Sequence, residues 1–310
     1  MDERTYRAAD RDSADGYVAP RYDVMFRVWW PGRTEVTITY VMCRDCGFVM
    51  YTPRPSEADV AAKYAFLSRR GGAVGHALSD DGADRVRAAG LYRTLKPLLP
   101  EAGARILDLG GGDGRMLRPF VEAGQHGVVV DHNRNPIPGI ARLGATLDEV
   151  DEEERFDAAL SLHVLEHLAN PRRVLEQLRV RMRTGGLLFV EVPLEVWRGR
   201  PEQIEPVTHI NFFSRDSLGT LLRRSGFTDV RCWEQTATAP SGAPIFVVRA
   251  SGRALAAPAD AAAPAGSDHT RRLLHPSAWD RAKWIARNPA FYTHPDFLKR
   301  KTAKLLGRGG

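Results

Sequence analysis

A chain of 310 residues, 43% of them hydrophobic and 26% charged, can bury one α/β domain of about 150–200 residues and carry smaller appendages. It has no run of about 18 apolar residues that would cross a membrane, and its three cysteines are too few for a disulfide framework, so a soluble cytoplasmic protein is expected. The net charge of +6 is uneven: residues 271–310 carry +8 and the remainder −2, which argues against a broad nucleic-acid footprint and leaves the tail to meet an acidic partner or a membrane surface.

Residues 1–20 are polar, rich in Asp and Arg and without period, and read as disordered. From Tyr22 to Trp30 and from Glu35 to Val41, β-branched and aromatic residues partly alternate about Pro31-Gly32-Arg33, which predicts a β-hairpin. Next comes Cys43-Arg44-Asp45-Cys46-Gly47, a C-x-x-C-G knuckle of the kind that folds backbone N–H groups toward thiolates. Tetrahedral zinc needs two more ligands. Residues 1–42 hold no Cys or His and Cys232 lies in a distant predicted strand, so Cys43 and Cys46 are the nearest approach to a metal pair and no zinc is expected. Ser56 then caps a short helix to about Tyr64, which completes a small segment over residues 21–65. The glycine-rich residues 68–82 read as a loop able to cover a ligand.

The main domain spans residues 83–250. A helical pattern from Ala83 to Leu99, with Val86, Leu91, Leu95 and Leu98 on one side, leads into the apolar strand Arg105–Leu109 and then Gly110-Gly111-Gly112-Asp113-Gly114. A buried strand that ends in glycines and continues as a helix aims backbone N–H groups and the positive end of the helix dipole at a ligand. The glycines fall as G-x-G-x-G, with Arg115 where the dinucleotide fingerprint requires glycine, which favours a nucleoside without a pyrophosphate. The pattern continues as a helix to about Ala123, a strand Gly127–Val130 ending in Asp131, a short helix Asn135–Leu143, a strand Ala145–Leu147 and a strand Phe156–Leu162. Asn170-Pro171 opens a helix to about Arg183, Leu187–Val192 is the next strand, and Ser214 caps a helix to Ser225. Strands Val230–Ala237 and Pro244–Arg249, joined through Pro240-Ser241-Gly242, close the domain as a hairpin. Alternating strands and helices predict a doubly wound, mainly parallel α/β sheet with an antiparallel strand near one edge. Residues 251–270 read as an Ala/Pro-rich linker and 271–310 as a basic helical tail broken at Pro289 and Pro295.

In such a sheet the ligand lies at the carboxyl ends of the strands. Asp131, 23 residues after Asp108, sits where a carboxylate accepts both hydroxyls of a ribose, and Asp108 is placed to fix the loop or meet an ammonium group. The blocks LDLGGGDGRML, VVVD, FDAALSLHVLEHLANPRRVLEQLRVRMRTGGLLFVEVP and THINFFSRDSLGTLLRRSGF, in this order, resemble class I S-adenosylmethionine-dependent methyltransferases, more narrowly the bacterial ones acting on sugars, quinones and secondary metabolites. The resemblance covers roughly residues 40–250 and implies a Rossmann-like sheet of seven strands with S-adenosylmethionine as cofactor. It implies that Gly110 and Gly112 line the methionine part with His163 near it, that Asp108, Gly111 and Ser161 also bind the cofactor, that Asp131 holds the ribose and that Asp148 or Glu149 approaches the adenine. The block around Cys43 resembles relatives with a zinc ribbon but lacks their first cysteine pair.

Methyl transfer from a sulfonium needs in-line approach of an acceptor ready to lose its proton, so positioning and a base are what the chain can supply. His209, in Thr208-His209-Ile210-Asn211-Phe212-Phe213, is the leading candidate base, with His163 the second; the resemblance implies that Glu166 and His167 are packing and loop-ordering residues, and no divalent metal is assigned. The function so read is methylation of a hydroxyl on a small or medium polar acceptor, a sugar, glycoconjugate or natural-product intermediate. The alternatives are carbon methylation of a nucleotide-linked sugar and a cofactor-binding scaffold without transfer activity.

Overall fold

The computed structural model describes residues 3–16, 18–69, 81–197, 200–201, 206–238, 244–257 and 266–293. Most of the glycine-rich stretch 68–82, the 240–242 turn, residues 258–265 of the linker and residues 294–310 of the tail lie outside the described residues.

The N-terminal third supplies three strands of a four-stranded antiparallel sheet. Residues 3–13, expected to lack order, form strand β1 (Glu3–Arg7) and a 3-10 turn, because β1 pairs along its whole length with β2 (Glu35–Met42) and tucks Tyr6 into the core. The span Tyr22–Trp30 is not a strand: α1 (Ala19–Asp23) continues as a π-helical turn through Trp29 and buries Val24, Met25, Phe26 and Trp29. A short apolar run is ambiguous between the two periods, and here helical burial wins. The hairpin is instead β2 with β3 (Val49–Thr52), joined by the Cys43–Gly47 knuckle, where the amide of Gly47 donates to the Cys43 carbonyl. Ser56 caps α2 (Glu57–Arg69) as expected, its hydroxyl accepting from the Asp59 amide at 3.2 Å.

Helix α3 (Asp81–Leu95) turns Ala88, Leu91 and Leu95 inward and leaves Val86 exposed, so its buried stripe is narrower than expected. Strand β4 (Arg105–Leu109) is followed by the glycine loop, a 3-10 turn and α4 (Arg118–Glu122); β5 (His126–Val130) comes next. No helix forms over Asn135–Leu143, since Pro136 and Pro138 remove two amide donors and bias their neighbours away from α geometry. The third strand, β6 (Ala141–Gly144), therefore starts and ends earlier than predicted. Then come β7 (Phe156–Leu162), α5 (Pro171–Val180), β8 (Met182–Pro193) and the short pair β9 (Val196–Trp197) and β10 (Arg200–Pro201). Strand β11 (Asn211–Phe212), α6 (Arg215–Arg224), β12 (Phe227–Thr238) and β13 (Pro244–Ala254) complete the domain; β13 extends into the segment read as linker. The tail supplies α7 (Asp268–Leu274), α8 (Ala278–Arg287) and α9 (Pro289–Thr293). The caps read from sequence are present, with Asn170 accepting from the Arg173 amide and Ser214 in a reciprocal pair with Ser217.

The seven-stranded sheet has the order β12-β13-β8-β7-β4-β5-β6, parallel from β8 to β6, with β13 antiparallel to both its neighbours. Ile106, Leu107, Val129, Phe156, Phe189 and Val190 are fully buried, as a sheet covered on both faces requires, and each contributes about 1.5–3 kcal/mol of transfer free energy. This core holds β4, β5 and β7 side by side, so Asp108, Asp131 and Ser161 emerge together at their carboxyl ends. Strand β11 leaves this domain to pair with β3, so the last strand of the N-terminal sheet belongs to the loop that carries His209.

Candidate active site

The loop after β4 is shaped by positive backbone angles at Gly110 (φ 71°), Gly112 (φ 62°) and Gly114 (φ 82°). At Gly110 a Cβ would come within 2.5 Å of the Val164 side chain, and at Gly111 it would strike the Asp108 carboxyl group. The glycines are thus demanded by conformation and by close approach. Asp131 anchors the loop from the neighbouring strand: one carboxylate oxygen accepts from the Gly112 amide at 3.0 Å and the other from Asn133 at 2.7 Å. Beneath the loop Asp108 is fully buried and neither of its oxygens has a hydrogen-bond partner among the described residues, nor does the buried hydroxyl of Ser161 on adjacent β7. Burial raises the Asp108 carboxyl to about 7, an effect that nearby Asp131 and Asp113 reinforce and Arg87 opposes. Orphaned buried polar atoms at a strand end mark where a polar ligand completes the bonding.

A second cluster follows β7 and β8. His163 has a left-handed backbone (φ 58°), its amide donates to the Glu191 carbonyl, and its ring is held between two carboxylates, Nε2 at 3.1 Å from Glu191 and Nδ1 at 3.3 Å from Glu166. Burial opposes its charge, but the two carboxylates win and raise it to about 9, so it is an imidazolium at neutral pH. Glu191, itself buried, also binds Arg87 at 2.7 Å and Arg249 at 2.6 Å. His167 is the opposite case. Burial lowers it to about 3, so it is neutral, and Nδ1 donates to the Thr208 carbonyl at 2.6 Å. His209 lies edge-on to His167 with ring centroids 4.8 Å apart and donates from Nδ1 to both oxygens of Glu195, each at 2.9 Å. Desolvation works against its charge, yet Glu195 raises its pKa. Glu166, His167 and His209 bring one ligand-type atom each within 4.8 Å of one another, a donor set able to hold a divalent ion. Protonated His163 already balances the Glu166 charge.

A family model described as "Methyltransferase domain" matches residues 83–231. Residues 83–231 are a methyltransferase domain. Two curated relatives are named ubiquinone biosynthesis O-methyltransferase: one from Bradyrhizobium sp. (strain ORS 278) is 31% identical over 118 residues, and one from Cereibacter sphaeroides (strain ATCC 17025) is 35% identical over 114. Each alignment covers 46% of the relative and about a third of this chain, so the chain spans about half the length of the curated relatives it matches. The crystal structure of Burkholderia thailandensis 1,6-didemethyltoxoflavin-N1-methyltransferase, solved with 1,6-didemethyltoxoflavin and S-adenosylhomocysteine, shares the fold with a TM-score of 0.50 at 22% identity, covering 71% of this chain and 95% of that one. The domain is of the class that uses S-adenosylmethionine, and the glycine loop, the acid Asp131 beside it and the buried Asp108 and Ser161, without hydrogen-bond partners among the described residues, fit that group.

Within the methyltransferase domain the structure brings Asp108, Gly110, Gly111, Gly112, Asp131, Ser161 and His163 to one end of the sheet. Asp148, past the carboxyl end of β6, is exposed on a 3-10 turn and accepts from Gln177 at 2.7 Å. Cys43 and Cys46 are free thiols at the knuckle turn; among the described residues the metal-type cluster lies elsewhere, at Glu166, His167 and His209.

The N-terminal segment supplies residues that sequence reasoning missed. The Tyr51 hydroxyl donates to the Pro206 carbonyl at 2.6 Å, Lys63 to that of Val207 at 3.2 Å, and Arg54 to those of Ile210 and Ala169 and to the side chain of Asn211. Each backbone group of the His209 loop so held is satisfied from more than 140 residues away in sequence, a pairing that carries no local signal. Tyr64 stacks on His132, just past Asp131, and burial with the nearby Glu166 and Asp131 charges pushes its phenol up to about 12. Glu195 and Glu191 also went unread. Glu166 lies three residues past His163, whereas Glu191, the β8 carboxylate that completes the pair, lies 28 residues on.

Proposed function

We propose that this chain transfers the methyl group of S-adenosylmethionine to a hydroxyl oxygen of a small or medium acceptor, a sugar, glycoconjugate or natural-product intermediate, with His209 taking the proton. The observation that carries this reading is the His209–Glu195 pair. Glu195 accepts from Nδ1, which assigns the proton to that nitrogen and makes Nε2 the basic one, and its charge strengthens the imidazole as a base. His163 suits a different task. Its ring is held as a cation between Glu166 and Glu191, so it fixes the turn beside Ser161 and does not accept a proton at neutral pH.

When bound, the cofactor supplies an electrophilic methyl on a sulfonium. Asp131 would accept the ribose hydroxyls, and the glycine loop would leave room for the methionine part where a Cβ would collide. Two relatives are named O-methyltransferases, which supports oxygen as the acceptor atom.

Tritiated methyl transfer to sugar and natural-product extracts tests the reading. His209→Ala should lose about a hundredfold or more in rate while keeping its affinity for S-adenosylmethionine. Undiminished transfer by that variant would remove His209 as base. In calorimetry Asp131→Ala should bind the cofactor about tenfold or more weakly; unchanged affinity would sink the ribose assignment.

A further inference from the structure

Helix α8 (Ala278–Arg287) has an unusual division of sides. Its inner side is fixed to the methyltransferase sheet: the Trp284 ring packs on Phe246 of β13 with centroids 5.0 Å apart, and Asn288, just past its end, accepts from Thr236 of β12 at 3.0 Å. Its first turn is closed by the reciprocal Ser277–Asp280 cap. With about 3.6 residues per turn, Ala278, Ala282, Ile285 and Ala286 share the opposite side and Trp279 borders them. Every one of these is exposed, Trp279 at 67% and Ile285 at 44%. Arg281 flanks the apolar strip on one side and Lys283 on the other, where its ammonium lies over the Trp279 ring at 4.9 Å from the centroid.

An apolar strip bordered by cations, with an indole at the border, is the pattern of a helix lying in the plane of a lipid interface. The strip enters the acyl boundary, the Lys and Arg stems reach back to headgroup phosphates, and the tryptophan sits at the level between. Charge selects the kind of bilayer, because residues 271–310 hold ten Lys and Arg against two Asp. A nucleic acid would use the cations and leave Trp279 and Ile285 in water. No helix of the described residues is long and apolar enough to cross a membrane, so the contact is with the surface. The position is also meaningful: Phe246 neighbours Val247, which pairs with Pro193 at the carboxyl end of β8, so α8 stands at the end of the sheet that carries the candidate site.

We propose that α8 is an interfacial helix that seats this protein on an anionic bilayer surface through Trp279 and Ile285, with Arg281 and Lys283 on the headgroups. Flotation of the full chain with vesicles of phosphatidylcholine alone, or of phosphatidylcholine mixed with phosphatidylglycerol, tests it. The protein should float with the mixed vesicles and not with the neutral ones, and less so in high salt. Trp279→Ala and Ile285→Ala should each weaken the partition about tenfold, and Arg281→Glu with Lys283→Glu should abolish it. All these variants should bind S-adenosylmethionine as the wild type does, which shows that they are folded and separates this result from any failure of the site. Absence of flotation, equal flotation with neutral vesicles, or flotation untouched by the α8 substitutions would overturn the proposal and leave the face to an acidic macromolecule.

Discussion

Glu191→Gln is the sharpest test of how the site is held. The Glu191 carboxylate is 1% exposed and balances three cations at once, Arg87 at 2.7 Å, Arg249 at 2.6 Å and His163 at 3.1 Å. An amide of the same shape keeps an acceptor but removes the charge, and leaves buried or half-buried cations without compensation. Removing one partner of such a buried cluster costs about 3–5 kcal/mol. With a denaturant slope of roughly 3 kcal/mol/M in urea, the unfolding midpoint should fall by about 1 M or more. The pH dependence has two arms. The three cations lower the Glu191 pKa, so its contribution is present above the usual glutamate range and is lost as pH falls through that range and below. The His163 pKa is raised from 6.5 to about 9, so its contribution is fully present below pH 6.5 and is lost as pH rises through about 9. Wild-type stability should therefore decline toward both extremes, and Glu191→Gln should flatten both arms. A variant that loses less than about 1 kcal/mol, or keeps the wild-type pH dependence, would refute the assignment of His163 as a carboxylate-held cation.

Three further outcomes follow from the geometry. Glu195→Gln removes the charge that raises His209, so the pH–rate profile for methyl transfer, which rises as His209 loses its proton, should move to lower pH with a smaller maximal rate; an unmoved profile would separate Glu195 from the base. Gly110→Ala places a Cβ 2.5 Å from Val164 at a φ of 71°, so S-adenosylmethionine binding measured by calorimetry should weaken about tenfold or more, whereas Gly103→Ala, with a similar φ but open space around it, should affect stability alone. Arg54→Ala strips donors from the carbonyls of Ala169 and Ile210 and from Asn211, and should cost about 2–3 kcal/mol in thermal or urea unfolding while lowering methyl transfer more than cofactor affinity.

How far the chain could be read beforehand depended on the range of the interaction that fixes each feature. The glycine loop is a local object: its strand, its three glycines at positive φ and the acid one strand away are set by spacing alone, and the Asp131 carboxylate accepts from the Gly112 amide. Helix caps are local too, which is why Asn170 and Ser214 were legible as starts. The misread stretch Tyr22–Trp30 failed for the complementary reason. Its residues satisfy either period, and the choice is made by the partner they bury against, the Asp59 carbonyl that accepts from the Trp29 indole among them.

The loop that carries His209 shows the same limit at its strongest. Nothing around Thr208-His209-Ile210 announces that Tyr51, Arg54 and Lys63 will hold it, or that Asn211 and Phe212 will pair with Met50 and Val49. Those contacts join the N-terminal sheet to the methyltransferase domain and place the candidate base at the seam. A rigid parallel sheet presents the cofactor-side groups from β4, β5 and β7, while the histidine opposite rides on a loop whose backbone carbonyls are satisfied from the other side of the seam. On the proposed reading, cofactor binding and acceptor chemistry draw on different parts of the chain. A substitution in the N-terminal segment should then act on transfer with little change in cofactor affinity, and one in the glycine loop on both.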